Sequence, residues 1–237
     1  MIQKAFEYVN EINKPYLHEI GGKTYSDKHM VEVAPKRYAG SFELTTLTSL
    51  VEYLISGADE MAKMFVHVQS PTRIEVFSVL DDNRKRETLV TVKACLPSIR
   101  TDDYMDRESF NIALQSKFED NADKELLLKF VGTMENGTVA EYGDDGVSQQ
   151  AVIKTGIASK GAAIVPNPVK LRPYRTFVDI QQPESSFVFR VRDDGSRGIA
   201  CAIYEADGGA WKIEAMDTIK KYLKDALAGN NNFIVIS

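Results

Sequence analysis

The sequence predicts an α+β fold of two lobes, each an antiparallel sheet with helices packed on one side. Three observations carry this prediction. Runs rich in β-branched and aromatic residues lie close together around 64–69, 73–80 and 87–96, and again around 176–181, 186–192 and 198–205; strands with one polar face and short connections suit antiparallel pairing. Five other segments carry apolar residues at the three-and-four spacing of an amphipathic helix. Between the two groups lies the polar stretch Glu141-Tyr142-Gly143-Asp144-Asp145-Gly146, a composition break of the kind that separates domains. The expected organisation is an N-terminal α+β lobe over 1–138, a hinge over 139–146, and a β-rich C-terminal lobe over 147–237 that closes with a helix and a strand.

Each element follows from local pattern. Ile2, Phe6, Val9 and Ile12 recur at helical spacing before Pro15, which predicts a helix over 2–13 that packs on the body. Gly21-Gly22 marks a turn, and Met30, Val31 and Val33 a short extended piece. Thr45 or Thr46 caps a helix with the stripe Leu47, Leu50, Val51 and Leu54, which Gly57 ends. The runs at 64–69, 73–80 and 87–96 are separated by Ser70-Pro71 and by the polar residues 81–86 and read as a meander. Asp106 caps a helix bearing Phe110, Ala113, Leu114 and Phe118, and a second helix places Leu126, Leu127, Phe130, Val131 and Met134 on one face. Asn136-Gly137 breaks the pattern. In the second lobe, strands are expected around 150–155, 176–181, 186–192 and 198–205. Phe187, Phe189 and Val191 alternate with Arg190 and Arg192, so the arginines should face away from the core, and Asp194-Gly195 supplies the turn. A helix over 212–227 carries Met216, Ile219, Leu223 and Ala226, and the last strand covers 233–236.

Composition narrows the function. The 237 residues are 43% hydrophobic and 27% charged with a net charge of −5, an ordinary globular balance with no overall pull toward nucleic acid or anionic lipid. A nucleic-acid site must therefore be a local patch. Cys95 and Cys201 both sit in strand-like apolar runs and read as buried free thiols. Residues 1–15 lack a signal peptide's apolar block and no apolar run approaches the ~20 residues of a membrane span, so a cytoplasmic protein is expected.

Few residues are spaced as catalysis would need. Acidic pairs occur at Asp81-Asp82, Asp102-Asp103, Asp144-Asp145 and Asp193-Asp194. Carboxylates gathered by a sheet hold Mg²⁺ in nucleases, but two of these pairs precede glycine and one lies between strands, where Asp stabilises turns. The acidic-x-Lys strand element of such a nuclease is matched only by Thr91-Val92-Lys93, with Thr91 in the acid's place. His18, His29 and His67 have no metal-ligand spacing, and GxSxG is absent. Gly156 and Gly161 are not followed by the Lys of a phosphate loop, and Asp207-Gly208-Gly209 reads as the turn that feeds Trp211 into the last helix. No catalytic residue, metal ligand or cofactor is expected.

The basic residues are the remaining signal. Between 160 and 197 there are seven cations and four acids. Lys170, Arg172, Arg175, Arg190, Arg192 and Arg197, with Tyr174 near them in sequence, form the candidate anion or nucleic-acid surface, because phosphate contact and base stacking use these residue types. Changing Arg175, Arg190 and Arg192 together to glutamine is expected to weaken polyanion binding and leave folding intact.

The stretch Arg37-Tyr38-Ala39-Gly40-Ser41-Phe42, the run Thr45 to Tyr53, Phe110 to Phe118, and Tyr174-Arg175-Thr176-Phe177 leading to the closing helix together resemble the YfdQ-like family of phage and prophage proteins, over about 37–227. The resemblance implies a phage accessory role and carries over no catalytic residues. The function expected is noncatalytic binding of a host or phage macromolecule, in DNA metabolism or counter-defence, with self-association into a homo-oligomer. The alternatives are a Mg²⁺-dependent enzyme acting on nucleic acid and a single-stranded nucleic-acid binding protein.

Overall fold

A computed structural model describes residues 2–29, 38–59, 62–134, 139–144, 149–153, 165–193 and 198–237. The chain divides into two units, 1–38 and 39–237. The first contains helix α1 (Ile2–Asn13) and the antiparallel strands β1 (Leu17–Ile20) and β2 (Lys23–Ser26), with Ile20 opposite Lys23. The turn between the strands needs positive φ at both central positions, and Gly21 and Gly22 supply it at 60° and 76°. Within this unit the α1 stripe is uncovered: Ile2 is 75% exposed and Phe6 67%, and no residue of the helix is buried. The expected extended piece at Met30, Val31 and Val33 lies outside the described residues.

The second unit is α+β; among the described residues it holds two larger sheets, each with helices on its inner face, and a separate two-stranded one. Its elements in order are β3 (Phe42–Leu44), α2 (Leu47–Ser56), β4 (Met64–Ser70), β5 (Arg73–Ser78), β6 (Thr88–Lys93), β7 (Met105–Asp106), α3 (Arg107–Lys117), α4 (Ala122–Thr133), β8 (Val139–Asp144), β9 (Gln149–Ile153), β10 (Val169–Leu171), β11 (Ser185–Asp193), β12 (Ile199–Glu205), α5 (Trp211–Ala226) and β13 (Phe233–Ile236). One sheet runs β13-β4-β5-β6-β3 and the other β10-β11-β12-β7. The meander β4-β5-β6 is antiparallel as predicted, with Val66 opposite Val76 and Val76 opposite Val90. Two edge strands depart from the prediction: β13 pairs parallel with β4 and β3 parallel with β6, so this sheet is mixed. The cause is connection. β3 reaches β4 through α2, and a helical crossover leaves its two strands parallel where a tight hairpin would reverse them.

Against the inner face of the mixed sheet, Leu47, Leu50 and Leu54 of α2 pack with Ile219 and Leu223 of α5 over Val66, Val76, Val90 and Val92. The second core joins Phe110 and Leu114 of α3 and Leu127, Phe130 and Val131 of α4 to Phe187, Phe189, Cys201 and Ile203. Both cores draw on residues from either side of 139–146. The expected lobes 1–138 and 147–237 are therefore interleaved: α5 and β13 complete the sheet begun by β3, while β7, α3 and α4 build on the sheet of β10, β11 and β12. Of the expected hinge over 139–146, Val139–Asp144 forms strand β8, paired antiparallel with β9, and 145–146 lie outside the described residues. The run Val139-Ala140-Glu141-Tyr142-Gly143-Asp144 has no two-residue alternation, and its glycine and aspartate read as a turn.

The expected strand at 176–181 is an irregular segment that buries Thr176, Phe177 and Ile180. Gln182, 2% exposed, organises it: its Oε1 accepts from the amides of Arg175 and Thr176 at 2.9 and 3.1 Å, and its Nε2 donates to the carbonyls of Phe177 at 3.1 Å and Ile180 at 3.4 Å. A single side chain thus replaces the partner strand this backbone lacks, and Phe177 and Ile180 enter the first core. Of the two cysteines, Cys201 is buried as expected and burial pushes its thiol up to about 12, with Arg107 opposing and Asp106 adding; Cys95 is exposed, at the end of the sheet past Lys93.

Helix α2 begins at Thr46, whose hydroxyl accepts from Ser49 N at 3.2 Å, and ends at Gly57 with φ 61°. Its N-terminus is also held from afar. Asp179 accepts from the amides of Leu47 at 2.9 Å and Thr48 at 3.0 Å and from the Thr48 hydroxyl at 2.6 Å, using the positive end of the helix dipole. Burial raises the Asp179 carboxyl, and these hydrogen bonds outweigh it and hold the group below the ordinary carboxylate range. A folded-state pKa below the unfolded value of about 3.9 means the stabilisation is complete above that pH and lost as pH falls through the folded value. Replacing Asp179 with alanine should cost about 1–2 kcal/mol at neutral pH, and urea titrations should show the gap from the parent closing as pH drops below about 4. A gap independent of pH would disprove this role.

Candidate functional site

The second sheet has an outer face opposite its helices, and strand alternation decides what stands on it. Along β11, Phe187 and Phe189 are buried toward the helices while Arg190 is half-buried and Arg192 exposed on the other side, as the two-residue period requires. In register, Arg190 lies opposite Ala202 and Arg192 opposite Ala200, and Ala200 in turn lies opposite Asp106 of β7. The alanines matter because their short side chains leave room for longer ones to cross β12, and both are covered, Ala200 at 6% and Ala202 at 0% exposed. Arg192 uses this room to reach the ring of Tyr104, two residues before Asp106, and its guanidinium carbon sits 4.1 Å from the ring centroid, a close cation–π contact. Tyr104 meets Tyr204 of β12 edge to face at 6.4 Å. Burial raises the Tyr104 phenol, with Tyr204 adding to the effect, while Arg192 and Arg190 pull it down. Both arginines therefore act on the same phenol.

Tyr104 also borders a cleft of about 580 Å³ at the β7 edge, between α3 and the segment before β7. Arg100 and Lys117 line it together with Ser98, Asp106 and Ser109. Lys117 Nζ donates to the Ser98 carbonyl at 2.6 Å, which orders that wall. The one carboxylate in the lining is committed to the helix: Asp106 caps α3, accepting from Ser109 N at 2.9 Å, and hydrogen bonding from the Ser109 side chain, then from its backbone amide, lowers its pKa. The assembled surface presents a stacked arginine–tyrosine pair, a second arginine and a second tyrosine beside a cleft with two cations. Such an array can pair with phosphates and stack bases.

The six predicted basic residues do not form one patch. Arg190 and Arg192 come together on the outer face. Lys170 and Arg172 share Glu184 at 3.5 and 3.4 Å. Arg175 is engaged inside the fold: it pairs with Glu205 and Ser185, Ser185 in turn binds Asp207, and its guanidinium lies 4.0 Å from the Trp211 ring centroid. Burial lowers its pKa, with Glu205, Asp207 and Glu214 opposing. Arg197 lies outside the described residues, as do Lys160, Asp194-Gly195, Asn136-Gly137 and the Gly156–Gly161 segment. The residues that sequence reasoning missed are Tyr104, Arg100 and Lys117, which lie far from β11 in the chain. Tyr204 carried a signal, since it alternates with Ile203 and so falls on the arginine side of β12.

The two acidic pairs described in full lie in connections, 81–82 between β5 and β6 and 102–103 between β6 and β7, while Asp145 and Asp194 lie outside the described residues. Asp81 closes the β5–β6 connection, its carboxylate accepting from Lys85 N at 2.7 Å, and Asp102 adopts φ 67° with its amide donating to the Ile203 carbonyl at 2.9 Å. Thr91 stands in register with Glu75 on one side and Glu43 on the other, and these two carboxylates pair with Arg73 and Lys93. Asp207 makes the expected turn, accepting from Gly209 N at 2.9 Å. Among the described residues, no three acidic, histidine or cysteine side chains form a group suited to a metal ion, and no helix is long and apolar enough to cross a membrane. Comparison with known proteins finds no matching family model, no matching curated protein and no matching solved structure.

Proposed function

We propose that this is a noncatalytic accessory protein that binds a polyanion, namely single-stranded nucleic acid of host or phage origin, through the outer face of the β10-β11-β12-β7 sheet. The observation that carries this reading is the convergence of Arg190, Arg192, Tyr104 and Tyr204 beside a cleft lined by Arg100 and Lys117. Arginine supplies charge and a planar face, tyrosine a stacking ring, and both serve any base, so the recognition is not tied to sequence. The net charge of −5 confines phosphate contact to this patch. The phage setting rests on the resemblance to the YfdQ-like proteins.

The test is fluorescence anisotropy with a labelled oligothymidine. Binding should weaken with salt along a logarithmic slope of about −0.7 per phosphate contacted. Replacing Tyr104 with alanine should lower affinity about tenfold, in keeping with roughly 1–3 kcal/mol per stacked base, with little change in slope. A parent protein that fails to bind at low salt would end the reading and direct the search to a protein partner.

A further inference from the structure

We propose, on the basis of single-stranded binding by the outer face, that the cleft beside Tyr104 seats the last nucleotide of a strand together with its terminal phosphate, so that the protein prefers a phosphorylated strand end. One wall of the cleft is a stripe of α3, namely Ser109, Ile112, Ala113 and Lys117, because residues three, four and eight apart stand on one side of a helix. At 1.5 Å per residue this wall is about 12 Å long. Residues of the segment before α3, among them Ser98, Arg100 and Tyr104, form the other wall. A volume of about 580 Å³ is that of a cleft enclosing one small molecule, which here means one nucleotide and not a run of strand.

The two ends of the cleft differ in charge. At the start of α3 stand Tyr104 and Asp106, whose carboxylate accepts from Ser109 N, and a phosphate placed there would meet a like charge. At the last turn of α3, Lys117 Nζ donates to the Ser98 carbonyl at 2.6 Å, which uses one of the three donors of the ammonium. Arg100, exposed and two residues beyond Ser98, lines the same space. Between the ends the lining is apolar, with Met105, Ala113 and a 57% exposed Ile112, a surface that suits the flat face of a base. Two arguments then select a strand end. A phosphate within a strand carries one negative charge and a terminal one about 1.5 to 2 at pH 7, and a pair of cations matches the second. The Lys117–Ser98 bond also ties the two walls together, so a strand entering past Tyr104 stops there.

The experiment is competition against an internally labelled oligothymidine on the full chain. The competitors are strands of equal length: linear with a phosphate at the 5′ or the 3′ end, linear with hydroxyls at both ends, and circular. One of the phosphorylated strands should compete about tenfold better than the hydroxyl-ended strand and the circle, as charge-assisted hydrogen bonds to one added group would give. Arg100→Gln/Lys117→Gln should bind all the strands alike, and Arg100→Gln alone, which leaves the Lys117 bond in place, should already reduce the preference. Thermal unfolding by circular dichroism checks that each variant folds. Thymidine monophosphate should compete about a hundredfold more weakly than the phosphorylated strand, because it has no strand to lie along Arg190 and Arg192. Equal competition by all the strands overturns this proposal and leaves single-stranded binding standing, and a preference that both variants keep overturns it too. Free nucleotide that competes as well as the phosphorylated strand would reassign the cleft to a soluble nucleotide and end the strand-end proposal. A parent that binds no strand ends both this proposal and the function it rests on.

Discussion

Replacing Arg175 with glutamine should destabilise the protein by about 2–3 kcal/mol. Removing one member of a buried pair leaves the other charge uncompensated, which costs ~3–5 kcal/mol in full burial; the figure is reduced because Glu205 is 31% exposed and screened by water. Three interactions go together: the Glu205 pair, the Ser185 contact in the Ser185–Asp207 chain, and the stack on Trp211. Lysine should rescue little, because a point charge reproduces neither the fork nor the planar stack. Denaturant titration by circular dichroism measures the loss, and Trp211 emission should shift in the folded state as the guanidinium leaves its ring. Stability within about 0.5 kcal/mol of the parent, the usual range for surface changes, would show that Arg175 is a solvated side chain after all.

The double variant Arg190→Gln/Arg192→Gln should behave in the opposite way. Both side chains stand on the outer face, away from Phe187 and Phe189, so thermal unfolding should be nearly that of the parent. Oligothymidine affinity should fall at least tenfold at low salt, and the salt slope should become shallower by about 1.4, roughly 0.7 for each lost phosphate contact. An unchanged slope would leave the two arginines as a solvated face. Arg175 has no place in this variant, although its sequence neighbourhood grouped it with the other two. Including it would mix a folding defect into a binding measurement.

The separation of these three arginines illustrates what local pattern conveys. Arg190 and Arg192 were placed correctly because strand alternation is a covalent consequence of the pleat, and it holds whatever the strand pairs with. Arg175 lies two residues after Pro173, in an irregular stretch whose path depends on Gln182 and on the cores it crosses, so nothing periodic in the sequence could orient it. The helix ends were equally legible. Thr46, Asp106 and Gly57 cap as predicted because capping is settled within a few residues.

Local spacing is enough for the α+β class, the meander of β4, β5 and β6, the two core-facing helix stripes on α2 and α5, and the side of β11 on which Arg190 and Arg192 stand. All of these depend on spacings of two, three or four residues. Tertiary structure alone decided that β13 returns beside β4 and β3 beside β6, that the two cores interleave the expected lobes, and that Tyr104 lies under Arg192. Those pairings join residues far apart in the chain, where burial of apolar faces and closure of sheet edges select the partner, and no local period records that choice.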